Sequence, residues 1–418
     1  MKDRTPIDSS EADAGVVMGQ PARHPLSSRL DALGLSIEQA WRSADYDDVR
    51  LPEIAERGLR EHALPESFSC IDVVRWANEL PALPEQFDID SSFGQPPLTL
   101  YHGSRFYIEA LFWLDGTPSI HSHRFTGAFQ VLEGSSIHSV YEFAERERIN
   151  GNIRIGEIRP QLIEVLRKGD VRRILPGDAL VHSTFHLDTP TISLLVRTPG
   201  MASSVAQFSF YPPGFAMNGF YSSKTAIRRR QLLRMLSEIG HPEYESELVR
   251  LIQTDDLENA VLYLELDLLQ RGSLEKSTPV FSALRTRHGQ KAEPLISAAH
   301  NAMREAIIRR LRREVRDVRL RFFLAVALLA WDRKSALSLL AARFPKESPL
   351  DVAVECVRVL ASRHSEASGL SLSETDEAAL RVLLSDSTPK QTAGTSDRVQ
   401  ALRDQFRLPS ILAAFVRP

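Results

Sequence analysis

Two cysteines in 418 residues, Cys70 and Cys356, are too few and too far apart for a disulfide framework or a thiolate metal site. Both read as ordinary intracellular thiols. Charge of one sign is also missing: 51 Lys and Arg stand against 54 Asp and Glu, a formal net charge of −3. Neither nucleic-acid binding nor attraction to a membrane surface is implied by that balance. The longest apolar run, Phe322 to Trp331, is far shorter than the roughly 20 residues that span a bilayer. Met1-Lys2-Asp3-Arg4-Thr5-Pro6 lacks the apolar core of a secretory signal. The expectation is a soluble cytoplasmic protein with no nucleic-acid or membrane partner. Apolar residues make up 43% of the chain, ample for real cores in two or three domains.

Residues 1–25 mix Ser, Asp, Gly, Pro and Ala without apolar periodicity and are expected to be disordered. Residues 26–84 turn helical, with Leu30, Leu33, Ile37 and Trp41 and later Ile71 to Trp76 at helical spacing. From 85 to 215 short strands dominate, rich in Ile, Val, Phe and Tyr and bounded by Gly, Pro, Asp and Asn. The expected strands include Ala128 to Leu132, Ile137 to Phe143, Leu162 to Leu166, Ile192 to Val196 and Val205 to Tyr211. Asn150-Gly151-Asn152 reads as a hairpin turn, and a string of short strands suits a closed barrel. After Pro212-Pro213-Gly214 the pattern changes again, and 220–418 reads as a large helical domain. Its helices are expected at Ala226 to Ile239, Glu245 to Ile252, Leu257 to Gln270, Pro294 to Arg321, Arg321 to Trp331, Ala336 to Phe344 and Leu350 to Leu360. Ser365 to Asp397 is expected to be loosely ordered, with a last helix from Leu402 to Val416. The fold class is α+β.

One stretch carries chemistry. After the apolar run Phe106 to Trp113 come Gly116, His121 and His123. Residues i and i+2 of a strand share a face, so the two imidazoles converge as ligands of one ion must. Roughly sixty residues later Leu175-Pro176-Gly177 leads into His182, a third imidazole. Three neutral imidazoles with no carboxylate or thiolate beside them suit iron, nickel, copper or zinc.

Gly116, His121, His123, Gly127 and Gly134, followed by Pro176-Gly177, His182 and His186, resemble the two motifs of the cupins, small double-stranded β-helix barrels. The carboxylate of the first cupin motif falls here at Gly127; Gln130 and Glu133 lie nearby at the wrong spacing. A set without that carboxylate resembles the three-histidine cupins, among them the thiol dioxygenases. Over residues 98–210, Phe106 to Trp113 with Ser119-Ile120-His121 and His123 is similar to cysteine dioxygenases. Gly134 to Phe143 is similar to amino-terminal cysteine oxidases. Pro190 to Leu195 resembles the strand carrying the serine–histidine–tyrosine relay of the dioxygenases, of which only Ser193 is present, Leu195 and Arg197 standing at the other positions.

The resemblance implies a non-haem iron(II) oxygenase that takes dioxygen and a small molecule or peptide, with a thiol as one substrate class. His121, His123 and His182 would hold the metal, and His186, Ser193 and Arg197 would position substrate. His186 has a fourth-ligand role as its alternative. Free cysteine is expected to be a poor substrate. The same site with zinc, nickel or manganese would suit an isomerase or hydrolase, and a ligand-binding sensor without turnover is the third reading. The helical domain leaves open a homo-oligomer or a protein partner.

Several residues have bland readings. His138 lines the pocket or the surface, and His102 is expected at the surface. Glu109 and Arg197, charged within apolar strands, are expected to point to solvent, with anchoring of an anionic substrate as the alternative for Arg197. Tyr107 and Tyr141 read as core aromatics. Arg304, Arg309, Arg310, Arg312, Arg313, Arg316, Arg319 and Arg321 alternate with Glu305, Glu314 and Asp317, which predicts a solvated, ion-paired helix. Phe322 to Trp331 is expected to be a buried helix.

Overall fold

The computed structural model describes residues 24–87, 89, 93–114, 119–199, 205–271, 275–373, 376–385, 395–407 and 410–416. The expected disorder over residues 1–25 falls almost wholly outside them, as does Gly116. Four helices come first: α1 Pro25–Arg42, α2 Leu51–His62, α3 Leu64–Ser67 and α4 Cys70–Glu79. Proline in the first turn starts α1, α2 and α3, where a missing N–H costs nothing. A capping box formed by Ser69 and Asp72 starts α4.

Eleven strands follow: β1 Pro97–His102, β2 Tyr107–Trp113, β3 Ile120–His123, β4 Gly127–Glu133, β5 Ser135–Arg148, β6 Ile153–Arg167, β7 Val171–Ile174, β8 Gly177–His186, β9 Thr191–Arg197, β10 Phe208–Tyr211 and β11 Phe215–Asn218. One sheet runs in the order β1-β2-β9-β4-β7. The other six strands bond in the cyclic order β10-β11-β6-β5-β8-β3. Neighbouring strands are antiparallel throughout. Leu111, Trp113, Phe129, Val131 and Leu195 from the first sheet meet Leu166 and Leu180 from the second in one apolar cluster. This is a double-layered antiparallel β-barrel flanked by helices.

Alternation explains the unbroken apolar reading of β2. Ile108, Ala110 and Phe112 face outward against the N-terminal helices, while Leu111 and Trp113 face the interior. The hairpin at Asn150-Gly151-Asn152 joins β5 to β6, with the Asn150 side chain accepting the N–H groups of Asn152 and Ile153. Pro212-Pro213-Gly214 is the turn between β10 and β11, so the barrel runs on to Asn218.

The helical part comprises α5 Lys224–Glu238, α6 Tyr244–Thr254, α7 Leu257–Arg271, α8 Thr278–His288, α9 Glu293–Glu314, α10 Val318–Leu329, α11 Arg333–Arg343, α12 Pro349–Arg363, α13 Ser365–Ser368, α14 Glu377–Leu384, α15 Thr395–Gln405 and α16 Ala413–Val416. A 3-10 turn at Gly289–Ala292 joins α8 to α9.

Several expectations are corrected here. The helix expected from Pro294 to Arg321 breaks where Val315 turns extended and is buried, and Asp317 caps α10 by accepting the Leu320 N–H. The loose segment from Ser365 contains α14, whose Ala379, Leu380, Leu383 and Leu384 are buried; residues 386–394 lie outside the described residues. The last helix is two, α15 and α16. α8 has no counterpart among the expected helices. Within the arginine cluster, Arg304 and Arg312 are buried rather than solvated. Arg304 donates to the carbonyls of Ala327 and Ser410. The apolar segment from Phe322 is buried, as expected.

Candidate metal centre

β3 and β8 are neighbours, and their register sets His121 directly opposite His182. His123 lies two residues on along β3, beside Pro176 and Gly177. The ring centroids are 4.6 Å apart for His121 and His123, and 4.9 Å for each of these with His182. One ring nitrogen from each of the three lies within 4.8 Å of the others, a group that could hold a metal ion. All three side chains are buried.

Protonation follows from their partners. His121 Nδ1 lies 2.8 Å from the Ser119 carbonyl, so Nδ1 carries the proton and Nε2 keeps its lone pair. That Nε2 is buried without a hydrogen-bond partner among the described residues. His123 Nε2 and His182 Nε2 stand 2.8 Å apart, where two lone pairs repel unless a proton or a cation lies between them. Burial drives the His121 pKa down. Burial, with the neighbouring His121 and Arg197 charges, drives that of His123 down further, and burial among the other imidazoles does the same for His182. Neutral imidazoles are the form that binds metal.

A chain of polar groups stands behind His182, buried at His138 and half-buried at Glu164 and Arg172. Its Nδ1 is 3.0 Å from His138 Nε2, and His138 Nδ1 is 3.0 Å from Glu164 Oε1. Arg172 donates to both carboxylate oxygens of Glu164. Burial alone would raise the Glu164 pKa, but the bonds from Arg172 and His138 outweigh it and hold the carboxyl at about 2. A carboxylate accepting from His138 Nδ1–H leaves His138 Nε2 to accept from His182 Nδ1–H. The His182 Nε2 lone pair then faces His123 and His121. Fixing a ligand's tautomer in this way raises its basicity. His138 therefore faces inward, as β5 alternation allows, because Ile137 joins the helical cluster on the outside.

The three residues expected to position substrate are buried or half-buried but lie apart from one another. His186, at the end of β8, stacks on Trp113 at 4.4 Å with 14° between the rings. Its Nδ1 is 3.0 Å from Ser136 Oγ, and its Nε2 has no hydrogen-bond partner among the described residues. Burial lowers its pKa to about 3. It does not belong to the three-histidine group. Ser193 pairs with Leu111 and Val131, and none of its bonds among the described residues reaches a histidine. Arg197 is turned inward, against the solvent-facing expectation, and so is Glu109, which is 2% exposed. Their side chains meet at 3.4 Å, and the Arg197 guanidinium lies 3.8 Å over Phe125 and 5.3 Å over Tyr107. Pairing is what makes two charges tolerable there.

Gln130 donates to the Gly169 carbonyl and Glu133 accepts the Cys70 N–H, so neither enters the centre. At Gly127 a Cβ would stand 1.9 Å from the Val196 carbonyl oxygen, and no carboxylate can be carried there. His102 lies at the surface, 3.4 Å from Glu85. Glu164, Arg172 and Trp113 were not found by sequence reasoning. Glu164 and Arg172 share no motif with the histidines, and only their inward parity on β6 and β7 marks them.

No family model matches the sequence, and neither does any curated protein. Among solved structures the chain is similar to hydroquinone 1,2-dioxygenase from Sphingomonas sp. TTNP3 with 4-hydroxybenzoate bound. That match is 17% identical, covers 27% of this chain and 70% of that one, and has a TM-score of 0.20. A cupin-2 domain containing protein from Shewanella frigidimarina is 14% identical over 25% of this chain and 82% of its own, with a TM-score of 0.17. Oxalate oxidase in complex with glycolate is 18% identical over 23% of this chain and 42% of its own, also at 0.17.

Proposed function

We propose that the barrel is a non-haem iron(II) oxygenase centre in which His121, His123 and His182 hold the metal through Nε2. The observation that carries this reading is the convergence of three neutral, buried imidazoles on one point. The unpartnered His121 Nε2 and the facing lone pairs of His123 and His182 fit a cation at that point. A ferrous ion held there would supply a Lewis-acid centre that can also give electrons to dioxygen. Every other contribution comes from this chain. His138 and Glu164 hold the Nδ1 proton of His182, and Ser119 holds that of His121. His186 offers an unpartnered Nε2 in the interior, and Ser136 and Trp113 fix its ring plane. Ser193 and Arg197 complete the positioning set, with Arg197 anchoring an anionic group of the substrate. Its contribution is orientation rather than proton transfer. The substrate class is a small molecule or peptide, with thiols first to be tried.

The test is metal analysis of anaerobically purified protein, followed by oxygen uptake with a thiol panel. Wild type is expected to carry about one iron per chain, and His121→Ala to lose most of it. Free cysteine is expected to turn over poorly, because Leu195 and Arg197 stand where a relay would need histidine and tyrosine. Wild-type metal content in His121→Ala would end the assignment. Three neutral ligands also leave the ion's full charge available for Lewis-acid catalysis, which suits zinc, nickel or manganese. Turnover that needs no oxygen would select that second reading.

A further inference from the structure

Each imidazole of the metal centre has a phenylalanine ring against it, and the three rings are not alike. Phe125 lies 4.6 Å from His123 and Phe129 lies 6.2 Å from His182, and both are 6% exposed. Phe93 meets His121 edge to face at 5.8 Å and is 37% exposed. Among the described residues, the rings against His121 are those of Phe93, His123 and His182, and of these Phe93 alone is exposed.

The chain is pinned just beyond this ring. Gln95 donates its N–H to the Phe112 carbonyl and accepts the Leu114 N–H on its side chain, and Phe112 donates to the Pro96 carbonyl. Gly94 turns the backbone at φ +91°, a conformation that favours glycine. Phe93 is thereby held at the end of β2, where its ring also meets Trp113 edge to face at 5.2 Å. It bridges His121 to the stacked pair of Trp113 and His186. His121 Nε2, Trp113 Nε1 and His186 Nε2 are all buried without a hydrogen-bond partner among the described residues. A buried polar atom without a partner is costly, so three of them along one line of rings mark the side from which a ligand arrives.

We propose that Phe93 is a specificity-determining residue, its ring covering the metal centre on the His121 side and setting the width of the ligand that reaches the ion. This rests on His121, His123 and His182 holding a metal. Edge-to-face contacts are individually weak, so the ring can swing aside without unfolding the strand. A slender molecule passes its edge, whereas a broad one must displace it.

The test uses full-length protein loaded with cobalt(II), the ion being withdrawn by phenanthroline, a broad, flat chelator, and followed by its visible spectrum. Phe93→Ala is expected to speed withdrawal roughly tenfold, because two edge-to-face contacts hold the cover closed, and Phe93→Leu to speed it less. The rate should rise with phenanthroline concentration, as direct attack on the ion requires. A protein merely loosened would shed cobalt at a rate independent of the chelator. Azide, a slender ligand, should bind the cobalt of wild type and variant alike. Equal withdrawal rates, a chelator-independent rate in Phe93→Ala, or an equal gain for azide would each overturn the proposal while leaving the metal centre standing. A wild type that takes up no cobalt would overturn both.

Discussion

The two helical covers of the barrel are attached in different ways. The N-terminal helices share one core with the sheet they lie on. Leu26, Leu30, Leu33, Ile37, Trp41 and Trp76 pack into one cluster with Phe106, Ile108, Ala110, Phe112, Ile192, Leu194 and Val196 of the strands. The C-terminal helices instead form two large clusters of their own. The barrel lends the first Ile153, Phe215 and Met217, and the second Ile137 and Phe185. Burial of apolar area is what stabilises either region, so the first cover belongs to the barrel's core and the second mainly to itself. Yet the residues of the metal centre lie mostly on the strands beneath the second cover: His121 and His123 on β3, His138 on β5, Glu164 on β6, and His182 and His186 on β8.

The largest test of this contrast cuts the chain. A fragment starting near Asn218 is expected to be soluble, helical by circular dichroism and metal-free, because its cores are its own. A chain lacking residues 24–84 is expected to aggregate, because one whole face of β2 and β9 would be bared. An unfolded C-terminal fragment would show that its helices depend on the barrel and that the contrast is false.

Single core substitutions ask the same question more gently. Leu33→Ala in α1 and Leu340→Ala in α11 each empty a fully buried site and should cost about 2–5 kcal/mol. Leu33→Ala is expected to lower the transition that releases metal. Leu340→Ala should lower the one that carries most of the helical signal. Equal shifts of both transitions in both variants would mean one cooperative unit.

Smaller still is Glu164→Gln, which keeps the shape of the chain behind His182 but removes its charge. Metal affinity should fall roughly 10–100-fold, measured by competition with a chelator, while helical content stays the same. Unchanged affinity would show that the His138–Glu164 chain serves packing alone.

The last test concerns pH. His186 is held by both sides of the molecule: its ring stacks on Trp113 of β2, and its carbonyl accepts from Arg312 of α9. Its folded pKa is about 3, against about 6.5 in an unfolded chain. The unfolded chain thus takes up the proton first as pH falls. Stability present above about pH 6.5 is lost progressively toward pH 3, by at most about 1.4 kcal/mol per pH unit. Denaturant melts of metal-free protein at pH 7, 5.5 and 4.5 should show at least that slope, because buried His121, His123 and His182 act in the same direction, and His186→Asn should make it shallower. An identical slope in the variant would place the titration elsewhere.

Much of this was legible in the sequence because local spacing carries it. The i, i+2 pair of His121 and His123, the Pro176-Gly177 turn before His182 and the Asn150-Gly151 hairpin each depend on a few adjacent residues. The inward turn of Glu109 and Arg197 was not legible. A charged residue in an apolar strand usually faces water, and only the β2–β9 register reveals that each has the other as partner. Glu164 and Arg172 were hidden for a similar reason, since their partnership with His138 spans three strands. Arg304 and Arg312 sit among acidic residues in the chain, yet both are buried and donate to carbonyls distant in sequence, which no charge pattern encodes.

Gly127 sets a limit on how this barrel could be altered. Nothing larger than a hydrogen atom fits between its α-carbon and the Val196 carbonyl, because β4 and β9 bond to each other there. An engineer wishing to add an acidic donor by Gly127→Glu would have to prise two strands apart first. Natural drift faces the same obstacle, since no single codon change at that position yields a tolerated side chain. The number of donors offered to an ion is thus guarded by main chain rather than by the choice of residue, and any fourth donor must arrive from another strand or with the ligand itself.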